Sequence, residues 1–200
     1  MGVTKLTTNS FTGLEKYDSF LAGNGPVLGG AFESIATTTV GSGGTTTVTF
    51  SSLGTGFTHL QLRIMARANT EGGANSWGLS VRFNNDSAGN YSSHQLYGTG
   101  STAAAGGSAS QTEIVAGNYP QSAATTNAYG VMVIDILDAF NTSKYKTLRS
   151  LNGYDGNDTN GILTYRSGAW LSTTAINRID LIPHATFAQY SSFALYGVKA

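Results

Sequence analysis

Two hundred residues carry 11 Lys+Arg against 11 Asp+Glu and no cysteine, so the chain has neither net charge nor a thiol. Neutrality removes the main argument for a nucleic-acid groove or a polybasic membrane patch, and the missing cysteines exclude disulfides, thiolate metal sites and a cysteine nucleophile. Charged residues are only 11% of the chain, against about 25% in an average soluble protein. Thr, Ser, Asn and 26 Gly take their place, a composition suited to hydroxyl-coated β-sheet lying close to other protein.

Residues 1–30 enclose only short apolar pieces between Thr7-Thr8-Asn9-Ser10 and Gly23-Asn24-Gly25-Pro26 and read as an extended N-terminal arm. Met1 to Lys5 open no signal-peptide run, and no later segment approaches ~18 consecutive apolar residues, so no membrane span is expected. From residue 31 onward, short β-type runs recur between Gly/Ser/Asn/Asp clusters, the spacing of an all-β sandwich or barrel. His59 to Ala68 alternates Leu60, Leu62, Ile64 and Ala66 with polar partners, which places Arg63 and Arg67 on the face away from the core. Trp77 to Phe83 repeats that pattern and is expected to pair antiparallel with it.

The turn Asn84–Asn90 precedes a strand from Tyr91 to Tyr97. Gly98 to Ser110, made of Ala, Gly and Ser, reads as a mobile surface loop. Tyr129 to Asp138, rich in Val and Ile, is expected to be a central strand. Tyr145 to Leu151 follows, then a turn over 152–158, then strands at Ile162 to Arg166, Ile176 to Ile182 and Ser192 to Val198. The last is apolar on both faces and should lie in the interior of the fold or against a neighbouring subunit.

Little in this pattern supports chemistry. His59, His94 and His184 are scattered with no His-x-x-x-His pair, and no Gly-x-Ser-x-Gly elbow occurs, so no metal site, cofactor site or hydrolase triad is expected. Asp135 and Asp138, three apart on one strand, fall on opposite faces and do not form a glycosidase pair; with Asp180 they are the few strand acids. The turn from Asp155 to Asn160 concentrates oxygen ligands for calcium but equally suits a hairpin end. Glycan binding would need exposed rings: Trp77 falls in phase with the core, whereas Trp170, in the turn-like Ser167-Gly168-Ala169-Trp170, and Tyr154 are the candidate glycan-binding residues.

Several stretches carry a resemblance: Phe32-Glu33-Ser34-Ile35-Ala36-Thr37 with Gly41-Ser42-Gly43-Gly44, His59-Leu60-Gln61-Leu62-Arg63, Val133-Ile134-Asp135-Ile136, Lys146-Thr147-Leu148-Arg149-Ser150, and the ending from Phe187 to Ala200 with Phe193-Ala194-Leu195-Tyr196-Gly197-Val198-Lys199-Ala200. Together these resemble structural proteins of tailed-bacteriophage particles and prophages over residues 31–200. The resemblance implies a jelly-roll-like antiparallel β-sandwich in the virion, on the capsid exterior or in a fibre, assembled as a homo-oligomer with a trimer favoured. The expectation is a non-enzymatic capsid-decorating (cement) protein. Its partners are itself and the major capsid protein or another virion protein, with residues 1–30 lying over a neighbour or the shell. The alternative is a fibre module binding a host surface glycan.

Overall fold

The computed structural model describes residues 31–69, 76–156 and 161–199, with Trp77 described by its backbone alone. The expected arm, the ring of Trp77 and most of the proposed calcium turn therefore lie outside the described residues. Among the described residues there is no helix. Twelve strands follow one another: β1 Phe32–Thr39, β2 Val48–Ser51, β3 His59–Ala66, β4 Ser76–Phe83, β5 Tyr91–Gly98, β6 Ala103–Gln111, β7 Ile114–Pro120, β8 Gly130–Leu137, β9 Lys146–Asp155, β10 Gly161–Trp170, β11 Arg178–Pro183 and β12 Ser192–Val198.

They form two antiparallel sheets, an all-β sandwich. The larger has the order β1-β12-β3-β8-β9-β10-β5-β6 and the smaller β2-β11-β4-β7. Period two supplies the core: Leu60, Leu62 and Ile64 of β3, Ile134 and Ile136 of β8 and Phe193 and Leu195 of β12 are buried. Leu79, Val81 and Phe83 of β4 with Ile179 and Leu181 of β11 supply the opposite layer. Two hairpins, β5–β6 and β9–β10, enlarge only the larger sheet, which becomes twice as wide as the smaller.

Five expectations need correction. β3 and β4 do not pair: β3 lies between β12 and β8, and β4 between β11 and β7. Each has one apolar face, and stacking the two in different layers buries both faces against each other, which side-by-side pairing would not do. Arg67 is not on the outer face beside Arg63. It is buried, and its guanidinium donates to the carbonyls of Ser122, Ala124, Thr125 and Ala128 at 2.7–2.8 Å.

The Ala/Gly stretch is strand β6, because β5 offers a free edge whose backbone groups it satisfies from Gly98↔Ala103 to Tyr91↔Gln111. Its small residues are also needed there: the His94 ring lies where a Cβ on Gly107 would sit, 2.6 Å away. The expected turn over 152–158 begins later, since β9 stays paired to β10 through Asp155↔Gly161. Likewise Ser167–Trp170 is the end of β10, where Gly168 lets Ile114 of β7 approach to 2.4 Å from the missing Cβ position. β12 is an inner strand of the larger sheet, but only its Phe193–Leu195 face is buried; Tyr196 and Val198 on the other face are half-buried, with Tyr196 stacked on Phe32 at 4.7 Å.

Candidate functional site

The two glycan candidates do not present their rings. Trp170 is 2% exposed and lies beside Tyr91 and Phe83, at 6.1 and 5.6 Å between ring centroids. Its Nε1–H donates to Asp86 Oδ2 at 2.7 Å. Tyr154 is 9% exposed, on the inward face of β9. Both sites were expected in turns, and both lie in strands, because the β9–β10 pairing runs further than the Gly- and Ser-containing segments suggest.

Asp86 also accepts from Asn90 Nδ2 and the Ala88 N–H, at 2.8 and 2.9 Å. The Asn90 bond foremost, then the Ala88 and Trp170 bonds, hold its carboxyl below the usual 3.8. Asn84 Oδ1 likewise accepts from the Asn177 and Arg178 N–H groups at 2.9 and 3.1 Å, whereas Asn90 Oδ1 is buried without a partner. Asp135 is engaged by Gln61 and Arg149, Asp138 by Lys144, and Asp180 by Arg178 and Thr49. Among the described residues no group of three His, Asp or Glu could hold a metal ion.

What the structure does assemble is an apolar band on the outward face of the larger sheet. Register aligns one row as Ser192, Met65, Val131, Gly153, Leu163 and Gly98, and the next as Ala194, Arg63, Val133, Leu151, Tyr165 and Leu96. The seven large apolar residues in these rows, on β3, β8, β9, β10 and β5, are 41–61% exposed. Met65, Val131, Val133, Leu151 and Leu163 line a shallow concavity of ≈ 1270 Å³, and Leu96 and Tyr165 line a smaller one of ≈ 510 Å³ beside it. One row further, Gln61, Asp135, Arg149 and Ser167 give the band a polar border. Arg63 leans away from the band over the rings of Phe32 and Tyr196, at 5.2 and 5.3 Å.

Beneath the β9–β10 part of this band the inward face is polar, an inversion of ordinary sandwich patterning. Ser150 and Asn152 of β9 and Thr164 and Arg166 of β10 are buried, while Leu151, Leu163 and Tyr165 between them face out. The inward groups serve β7, the edge strand of the smaller sheet. Ser150 Oγ donates to the Ala116 carbonyl, Asn152 Nδ2 to the Asn118 carbonyl at 2.8 Å, and Arg166 Nη2 to Asn118 Oδ1 at 2.8 Å. Burial pushes the Arg166 guanidinium down to about 10.

This use of the inward positions explains why Leu151 and Tyr165 point outward but not why they are apolar. On β1 and β12 of the same sheet the equivalent outward positions are Thr37, Thr39, Ser192 and Ala194. The band was not legible in the sequence, since alternation shows that two faces differ without showing which one the fold covers. The available signal was Leu151 between Arg149 and Gly153, an aliphatic in a polar setting. Comparison of the chain with family models, with curated proteins and with solved structures finds no match.

Proposed function

We propose that this chain is a non-enzymatic structural protein of a tailed-phage-type virion, a capsid-decorating subunit that acts in many copies on the outside of the head. The observation that carries the reading is the outward apolar band on rigid strands. A monomer working alone in water gains nothing from seven large Leu, Val, Met and Tyr side chains, each 41–61% exposed, clustered on one face. The same surface serves a protein that packs against protein. Zero net charge lets neighbouring copies crowd without accumulating repulsion.

The topology supports the reading in a second way. Without β5–β6 and β9–β10 the layers read β1-β12-β3-β8 over β2-β11-β4-β7, the winding of a jelly roll. The two hairpins are then insertions into that body, and they supply three of the five strands that carry the band. On this reading residues 1–30 add contact with the shell, so that each subunit holds modestly and the layer holds firmly.

Two measurements test this. Particles purified from the source should contain the chain in stoichiometric amounts, with density for a β-sandwich on the head surface; its absence from particles overturns the proposal. Deleting residues 1–25 should abolish binding to shells while the body melts as before, and unchanged occupancy removes the arm from the mechanism.

A further inference from the structure

We infer that the apolar band seats a second copy of this chain, packed face to face about a two-fold axis that runs across the strands between the two band rows. This rests on the reading of the band as an assembly surface and names its occupant. Area, charge and relief each favour the same partner. The band's seven large side chains, each 41–61% exposed across five strands, can form the apolar centre of an interface of the standard ~800 Å² per partner. Its bordering charges are already neutralised, Asp135 by Arg149 at 3.1 Å, and Arg63 is held over Phe32 and Tyr196. An acidic partner would find only Arg63 to pair with, whereas an identical face brings no further unpaired charge, and that guanidinium, at the β3 end of its row, keeps its place over the two rings.

Relief sets the axis. On β9 the knob Leu151 stands beside Gly153, and on β5 the knob Leu96 stands beside Gly98, each pair two residues apart along its strand. Rotation about an axis between the rows lays each row on the other row of the partner. Leu96 then meets the open space over the second copy's Gly98, where a Cβ would find nothing nearer than the Thr102 carbonyl at 3.9 Å, and Leu151 packs on the Leu163 side chain that leans over the second copy's Gly153. Strands of the two copies run antiparallel and aligned, the ordinary geometry of sheets packed ~10 Å apart. A face that meets itself in this way closes as a dimer.

Sedimentation velocity of the full chain from 1 to about 200 μM, concentrations set by the affinity range of such interfaces, reads the assembly. The wild type should be dimeric, and Leu151→Glu and Leu96→Glu should each weaken association at least ~100-fold while the far-ultraviolet circular dichroism of the fold is unchanged, because both positions are solvent-exposed in the single chain. The chain lacks cysteine, so a nitroxide on Thr147→Cys, exposed on β9 outside the band, reports the axis alone. The label-to-label distance should be about 35 Å, from five residues per copy at ~3.4 Å each and a ~10 Å sheet gap, whereas an axis along the strands would give about 10 Å.

A wild-type monomer across the range, a trimer, dimers indifferent to both glutamates, or a short label distance each overturns the inference. A monomer whose melt drops on Leu151→Glu assigns the cover to residues 1–30 of the same chain and overturns it too. A monomer that still decorates particles leaves the proposed function standing without this pairing. A dimer never found on particles does the reverse.

Discussion

Trp170→Ala gives the most direct measure of how the two layers are tied at the end of β10. The substitution removes a ring that is 2% exposed between Tyr91 and Phe83, together with its hydrogen bond to Asp86. Truncating a buried aromatic costs about 3–5 kcal/mol. Trp170→Phe keeps most of the packing and loses a bond to a carboxylate, about 1.5 kcal/mol at the lower end of the range for charged partners, since Asn90 and Ala88 still hold Asp86. At 2–4 °C per kcal/mol for a chain of this size, alanine lowers the melting midpoint by roughly 6–20 °C and phenylalanine by about 3–6 °C. Urea unfolding followed by far-ultraviolet circular dichroism measures both, with an unchanged slope confirming that the unfolded state is unaffected. If the alanine variant stays within about 0.5 kcal/mol of wild type, as surface substitutions do, the ring is exposed and the account of this corner is wrong.

The other predictions concern charge and clamping. Burial alone would raise the Asp180 carboxyl, but hydrogen bonds from Arg178 and Thr49 outweigh it and leave it below 3.8; Asp86 is lowered as well. A depressed folded pKa means stability that is present above the unfolded value and lost as pH falls through the folded one. Unfolding midpoints should therefore drop below about pH 4, and Asp180→Asn should flatten that acid limb while costing about 2 kcal/mol at pH 7, a buried-pair value discounted because Arg178 is partly solvated. An unaltered acid limb in that variant removes Asp180 from the explanation. Arg67→Lys keeps the charge but loses the planar fork that reaches four carbonyls. Amide exchange over residues 121–128 should accelerate at least tenfold; equal rates would mean the loop is held by something else.

Strands with an unbroken aliphatic alternation were legible directly. β3, β8 and β12 fall where Leu60-Leu62-Ile64, Val131 to Ile136 and Phe193-Leu195 place them, because only an extended chain puts every second residue on one face. β6 was not legible, since Ala and Gly carry no intrinsic preference for a strand and the free edge of β5 is a property of the assembled sheet. The ends of β9 and β10 were misread for a related reason. Gly153 and Gly168 look like turn residues, but one lies in the outward row and the other accommodates Ile114.

The candidate site was the least legible part. Along β9, Leu148, Ser150 and Asn152 alternate with Thr147, Arg149 and Leu151, and each set mixes apolar with polar residues. Hydropathy alone cannot choose the inward set. Composition and period two were enough to establish an all-β chain without thiols or net charge, because these depend only on residue identity and on backbone geometry. Which face of β9 and β10 meets water was decided by β7, whose carbonyls draw Ser150, Asn152 and Arg166 inward, and that contact exists only once strands far apart in the chain are stacked.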